Sequence, residues 1–220
     1  MLVYEYMPNG SLDSYLFGSS PCPRWHDRYA LMLGIARGLS YLHEGYHERI
    51  IHGDIKLENI LLDKDLCPKI AHFGMAKLVG RDFSRVLTTM PGTIGYLAPE
   101  WISGLPISGK ADVYSFGMVL FELISGRRNA ESYNDGDGDG TEARAAGQRP
   151  STFFPVRAAA RVVEGDTPAV VDPRLCGELL ECACRVACWC IQDQEDHRLT
   201  MAQVVQALEG VVDVHYRKIV

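Results

Sequence analysis

The residues best placed to do chemistry lie in one short run, Ile50-Ile-His-Gly-Asp-Ile-Lys-Leu-Glu-Asn-Ile-Leu-Leu62. Its spacing puts Asp54, Lys56 and Asn59 on a single loop. There a carboxylate can face a hydroxyl, an ammonium can reach a phosphate in transfer, and an amide oxygen can reach a metal ion. Two further triplets follow, His72-Phe-Gly74 and Ala98-Pro-Glu100. Each triplet is weak alone, but three in this order within about 60 residues form a specific series.

Other chemistry-bearing groups read more plainly. The seven cysteines are odd in number and no secretory leader precedes them, so a reducing compartment is expected and a disulfide framework is not. Cys182, Cys184, Cys188 and Cys190 lack paired C-x-x-C spacing, and Cys184 and Cys188 share one helical face, which favours a buried apolar stripe over zinc. Asp135-Gly-Asp-Gly-Asp-Gly140 copies the first half of an EF-hand loop, yet the position for its bidentate Glu is Ala146. That stretch is expected to be part of a disordered acidic insert at about 133–150.

The elements that must position the loop follow from periodicity. Residues 1–7 are rich in Val and Tyr and meet the turn signal Pro8-Asn-Gly10, so a short strand is expected there. Ser11 caps a short helix through Phe17. From Trp25 to about Gly45 the apolar positions Tyr29, Leu33, Ile35, Ala36, Leu39 and Leu42 recur at helical spacing. Ile60–Leu62 and Lys69–Ala71, joined by Asp63-Lys64-Asp65, predict a small hairpin. His72 to Glu100 shows no durable period and reads as a long loop. Asp112–Ser125 is apolar nearly all round, the mark of a central buried helix. Further helices are expected near Ser151–Glu164, Cys176–Gln192 and Thr200–Val214.

Composition bounds the class. The chain has 220 residues, 47% apolar and 23% charged, enough for one globular domain or a large part of one. A net charge of −6 with no basic block argues against nucleic acid as a partner. The longest apolar run, Val113–Ile124, falls short of the roughly 20 residues a membrane span needs, so a soluble, cytoplasmic chain is expected.

The ordered triplets resemble the protein-kinase signature set, and the likeness is close to plant receptor-like serine/threonine kinases, particularly the S-domain, lectin-type group. The phrases that carry it include Leu2-Val-Tyr-Glu-Tyr-Met-Pro-Asn-Gly-Ser-Leu-Asp13, Gly95-Tyr-Leu-Ala-Pro-Glu-Trp101, Ala111-Asp-Val-Tyr-Ser-Phe-Gly117, Gly126-Arg-Arg-Asn129 and Cys188-Trp-Cys-Ile-Gln192. The resemblance implies a mainly α fold: the kinase C-terminal lobe with a small β-hairpin at the catalytic loop, residues 1–220 forming hinge plus lobe. It implies transfer of the ATP γ-phosphoryl group to Ser or Thr hydroxyls. Asp54 would be the catalytic base, Lys56 the phosphate-contacting cation and Asn59 a magnesium ligand. Glu5 and Met7 would offer backbone groups to adenine, with Tyr4 as gatekeeper. Thr88, Thr89 and Thr93 would lie in the activation segment as candidate phosphoacceptors, and Gly92-Thr93 ahead of Tyr96 fits the serine/threonine pattern. Glu100 would pair with Arg198, and Asp112 would hold the catalytic-loop backbone.

Three departures shape the functional expectation. The sequence contains no Gly-x-Gly-x-x-Gly loop, strand lysine or helix glutamate ahead of the hinge, so the N-terminal lobe is absent from it. His72 stands where the family has a magnesium-binding Asp, and a neutral imidazole suits that hard cation poorly. Gly53 replaces the Arg that in many kinases meets an activation-loop phosphate. The expectation is a kinase family member impaired as written, with ATP and magnesium bound weakly or not at all. The alternatives are a pseudokinase that docks protein substrates or other kinases, or a truncated non-functional product. A full-length parent would sit on the cytoplasmic side of the plasma membrane. The hinge and the hairpin Ile60–Ala71 would lie beneath the other lobe, so their apolar groups are expected to meet water here.

Overall fold

The computed structural model describes residues 3–18, 22–45, 48–79, 92–129 and 154–212. Thr88, Thr89 and the acidic stretch at 133–150 lie outside the described residues. Helix α1 (Leu12–Phe17) is followed by α2 (Trp25–Glu44), β1 (Arg49–Ile51), β2 (Ile60–Leu62), β3 (Pro68–Ile70) and β4 (Lys77–Val79). The remaining helices are α3 (Pro99–Ile102), α4 (Gly109–Ser125), α5 (Phe154–Val163), α6 (Leu180–Cys190) and α7 (Met201–Leu208). The fold is mainly helical, with two short two-stranded sheets among the described residues.

Helix α4 is the centre because its sequence has no polar face to give to water. Every residue from Ala111 to Ser125 is buried, Asp112, Ser115 and Glu122 included. Ser108 caps its N-terminus by accepting from the Lys110 N–H, and Gly126 ends it in the left-handed region at φ 64°. Helix α6 lies so close that a Cβ at Gly117 would fall 2.6 Å from Ile191 Cγ2 and 2.7 Å from Cys190 Cβ. Any side chain at 117 would force these helices apart. Cys184, Cys188 and Cys190 fill the α6 side as small apolar groups, and burial pushes the Cys184 and Cys188 thiols up to about 12.

Helix α2 packs between α7 and α4 and buries Trp25, Leu31, Met32, Ile35, Ala36 and Leu39 in the core, each worth roughly 1.5–3 kcal/mol of burial when large and apolar. Tyr29, Leu33 and Leu42 flank this face and are only partly covered. The same face buries Arg28, whose guanidinium donates to the carbonyls of Pro23 and Leu123 and pairs with buried Asp172 at 2.8 Å. These partners tie α2 to the C-terminal end of α4, a link that periodicity alone did not mark.

The hairpin forms as an antiparallel pair with Ile60 opposite Ile70 and Leu62 opposite Pro68. Ile60 and Leu62 are buried, packed with α1 and α2, so the expected exposure of the hairpin is corrected. Its apolar face already has a home within this lobe. Residues 3–7 do stay open, with Val3, Tyr4 and Tyr6 about 80% exposed. They form no strand, because no chain among the described residues offers them a ladder. The region read as one long loop also contains β4, which pairs with β1 through Arg49 opposite Val79 and Ile51 opposite Lys77. Three residues are too few to show a period.

Candidate active site

The loop after β1 is held from below. Asp112, in the first turn of α4, accepts from the His52 N–H through Oδ2 and from the Gly53 N–H through Oδ1, both at 2.8 Å. His43 near the end of α2 reaches Asp112 Oδ2 at 2.9 Å. Gly53 turns the chain with φ 78°, and a Cβ there would come within 3.0 Å of the Trp101 ring. Glycine is the residue this turn admits without strain.

His52 is fully buried and fastens the loop sideways. Its Nδ1 accepts from the Asp54 N–H at 3.2 Å, which leaves Nε2 to donate to the Ala71 carbonyl at 2.8 Å. The ring also meets Phe73 edge-on at 4.9 Å. His52 thus joins the Asp54 loop to the His72-Phe-Gly74 turn. Sequence reasoning passed over it, although a histidine inside the apolar run before Asp54 was the available signal.

Above this base, four side chains converge. Thr93 Oγ1 donates to Asp54 Oδ1 at 2.6 Å, and Asn59 Nδ2 donates to Asp54 Oδ2 at 2.7 Å and to the Asp54 carbonyl at 2.8 Å. Lys56 Nζ donates to Thr93 Oγ1 at 2.8 Å and lies 3.5 Å from Asp54 Oδ2. Partial burial raises the Asp54 carboxyl, but the Thr93 and Asn59 hydrogen bonds and the Lys56 charge outweigh it and hold it below the usual carboxylate range. The result is an ionised acceptor beside a cation, with a hydroxyl already presented between them.

Glu5 and Met7 are not brought into this group; Glu5 is exposed and Met7 half-buried on the open segment 3–7. His72 is exposed, in the left-handed region at φ 66° and ψ 53°, and makes no hydrogen bond to the Asp54 group. Elsewhere, Glu100 in α3 receives a forked pair of bonds from Arg198 Nη1 and Nη2 at 2.7 and 2.8 Å.

A family model described as the protein kinase domain matches residues 1–208. The chain belongs to the protein kinase family. It is 56% identical over 225 residues to one G-type lectin S-receptor-like serine/threonine-protein kinase of Arabidopsis thaliana, covering 98% of this chain and 26% of the relative. A second of that description from the same plant is 54% identical, covering 97% of this chain and 27% of the relative. One from Oryza sativa subsp. indica is 41% identical, with 97% and 25% covered. The chain spans about a quarter of the length of these relatives.

Kinases use ATP with magnesium, so the donor set of this kinase lobe can be tested against that ion. Magnesium takes hard oxygen ligands in near-octahedral array. Here the Asp54 group offers the Asn59 amide and an Asp54 carboxylate engaged on both oxygens, and residue 72 carries an exposed imidazole in place of a further oxygen donor. The set does not fit magnesium as the family holds it.

One titrating group is buried in helix α4 beneath Tyr96. Tyr96 donates to Glu122 Oε2 at 2.6 Å, the Asn129 N–H donates to Oε1 at 3.0 Å, and Ser115 Oγ donates to the Tyr96 carbonyl at 2.8 Å. Burial pushes the Glu122 carboxyl up to about 7, against the lowering effect of those hydrogen bonds. A folded value above the unfolded one means the folded chain holds the proton more tightly, so this contribution is full below about pH 4.5 and is lost as pH rises through 7. In Glu122→Gln, the decline of melting temperature between those pH values should flatten, and the variant should be the more stable form above pH 7. Parallel melting curves from pH 4.5 to 8 would contradict this.

Proposed function

We propose that this chain is the substrate-facing lobe of a receptor-like serine/threonine kinase, residues 1–220 forming hinge plus lobe, and that it does not transfer phosphate by itself. The reading rests on the Thr93–Asp54–Lys56–Asn59 network, standing on a loop clamped by Asp112. Asp54 is the proposed base, placed to accept the proton of a Ser or Thr hydroxyl. Lys56 is the proposed cation beside the phosphoryl group in transfer, and Thr93 fixes the separation of the two. Glu5 and Met7 are the proposed adenine-facing backbone groups, with Tyr4 beside them. Catalysis of this kind is positioning plus electrostatics, so each missing part removes stabilisation of its own.

A second reading, a docking module for protein substrates or other kinases, is favoured by His72. Its imidazole supplies neither the charge nor the oxygen that a magnesium nucleotide requires. In both readings the parent protein is a membrane-anchored receptor with this lobe on the cytoplasmic side; no described helix of this chain is long and apolar enough to cross a membrane.

The test is radiolabelled phosphoryl transfer from Mg-ATP to a casein-like substrate by the purified chain. No incorporation above an Asp54→Ala control is expected, and His72→Asp alone should not restore it. Incorporation that vanishes in Asp54→Ala would overturn the proposal. Rescue by His72→Asp would show that the imidazole was the sole lesion.

A further inference from the structure

A second concavity, of about 330 Å³, lies behind the catalytic loop and shares no residue with the Asp54 network. Its apolar lining is Ile51 of β1, Val79 of β4, Val113 of α4 and Met201 of α7, all buried core side chains. Its charged lining is unequal, with Arg49 and Lys110 against Glu44. Arg49 is exposed and has no ion-pair partner among the described residues. Lys110 Nζ donates to the Arg198 carbonyl, which leaves two of its three N–H groups. An apolar pocket with a few convergent polar groups is the form small-molecule sites take, and this volume is at the lower end of their range.

His43 connects this pocket to the active site. Its ring lines the pocket, while its Nε2 touches the same Asp112 oxygen that accepts the His52 N–H. The other Asp112 oxygen holds the Gly53 N–H, and Asp54 follows directly. Both carboxylate oxygens are committed, so a displacement of the imidazole is passed to the backbone that carries the base. Ile51 and Val79 add a second route, because they belong to the β1–β4 pair that joins the catalytic loop to the chain after His72.

We propose that this pocket binds a small amphipathic anion, an aliphatic carboxylate of about eight carbons, and that its occupancy is transmitted to the catalytic loop through His43 and Asp112. The tail would lie along the carbon stems of Glu44, Arg49 and Lys110 above the nearly closed floor of Ile51, Val79, Val113 and Met201, and the carboxylate would take charge-assisted hydrogen bonds from Arg49 and Lys110. An amine of the same length would meet two like charges, and an alcohol would forgo the ion pairing.

The test is an amide-resolved NMR titration of the full 220-residue chain with sodium octanoate, 1-octanol and octylamine as probes. Octanoate should saturate at about millimolar concentration or below, shifting residues that line the pocket together with the His52 and Gly53 amides. Octanol should bind roughly tenfold more weakly, and octylamine should not saturate, on the charge argument above. Arg49→Glu should weaken octanoate at least about tenfold while Arg49→Lys retains it, with unchanged melting showing both variants folded. Equal binding of octylamine, an Arg49→Glu variant with unaltered affinity, or no saturable binding would overturn the site. Octanoate binding that leaves His52 and Gly53 unshifted, or shifts them equally in His43→Gln, would overturn the transmission.

Discussion

Arg198→Ala should lower the melting temperature of this chain by about 6 to 20 °C. The figure follows from roughly 3–5 kcal/mol for leaving one member of a buried ion pair uncompensated, at about 2–4 °C per kcal/mol in a chain of this size. Arg198 is fully buried and Glu100 is 9% exposed. Besides the fork to Glu100, its guanidinium donates to the carbonyls of Gln192, Lys110 and Asp193 and stacks over Tyr114 at 4.9 Å. Alanine would strand a carboxylate and three carbonyl oxygens at once. The control is Arg37→Ala, since Arg37 reaches Glu209 at 2.7 Å from a side chain that is 60% exposed. Surface pairs of that kind contribute about 0–1 kcal/mol, so its melting point should barely move. Thermal unfolding followed by circular dichroism separates the two, and an unaltered midpoint in Arg198→Ala would refute the expected cost.

The second large effect is expected at Asp112. Asp112→Ala removes the only acceptors, among the described residues, of the His52 and Gly53 N–H groups. Each buried, unpaired N–H costs roughly 1–3 kcal/mol, so a loss of about 2–6 kcal/mol is expected in total. The site of the damage is as diagnostic as its size. Amide exchange at His52 and Gly53 should accelerate far more than at Ile60–Leu62, whose ladder does not depend on Asp112. Asp112→Asn should be almost as damaging, because its amide NH₂ would face one of the two donors. Uniform acceleration across the lobe would show that Asp112 braces the core in general and not this loop.

Local pattern carried much of the architecture. The continuous apolar run of α4, the helical recurrence in α2 and the Ser11 cap are written in residues a turn or less apart, and these three helices formed where the sequence placed them, whereas the helix expected near Thr200–Val214 ends at Leu208. The order of the catalytic-loop triplets likewise identified a protein kinase. The β1–β4 ladder was illegible because three-residue strands are too short for alternation and their partners lie far apart in sequence. The same limit hid Arg28, whose charge reads as surface until Asp172, 144 residues away, is folded against it.

The candidate site divides along the same line. Sequence alone determined which groups stand on one loop, Asp54, Lys56 and Asn59, because a loop of that length keeps its own residues together. That residue 72 is a histidine is likewise read from the sequence and needs no coordinates. Only the tertiary structure decided that Thr93, 39 residues from Asp54, presents its hydroxyl to that carboxylate, and that buried His52 bolts the loop to Ala71. Only it decided that His43 sits between Asp112 and a pocket behind the loop. Hydrogen-bond geometry and desolvation depend on what the rest of the chain brings within about 3 Å, and no spacing along the sequence encodes that distance.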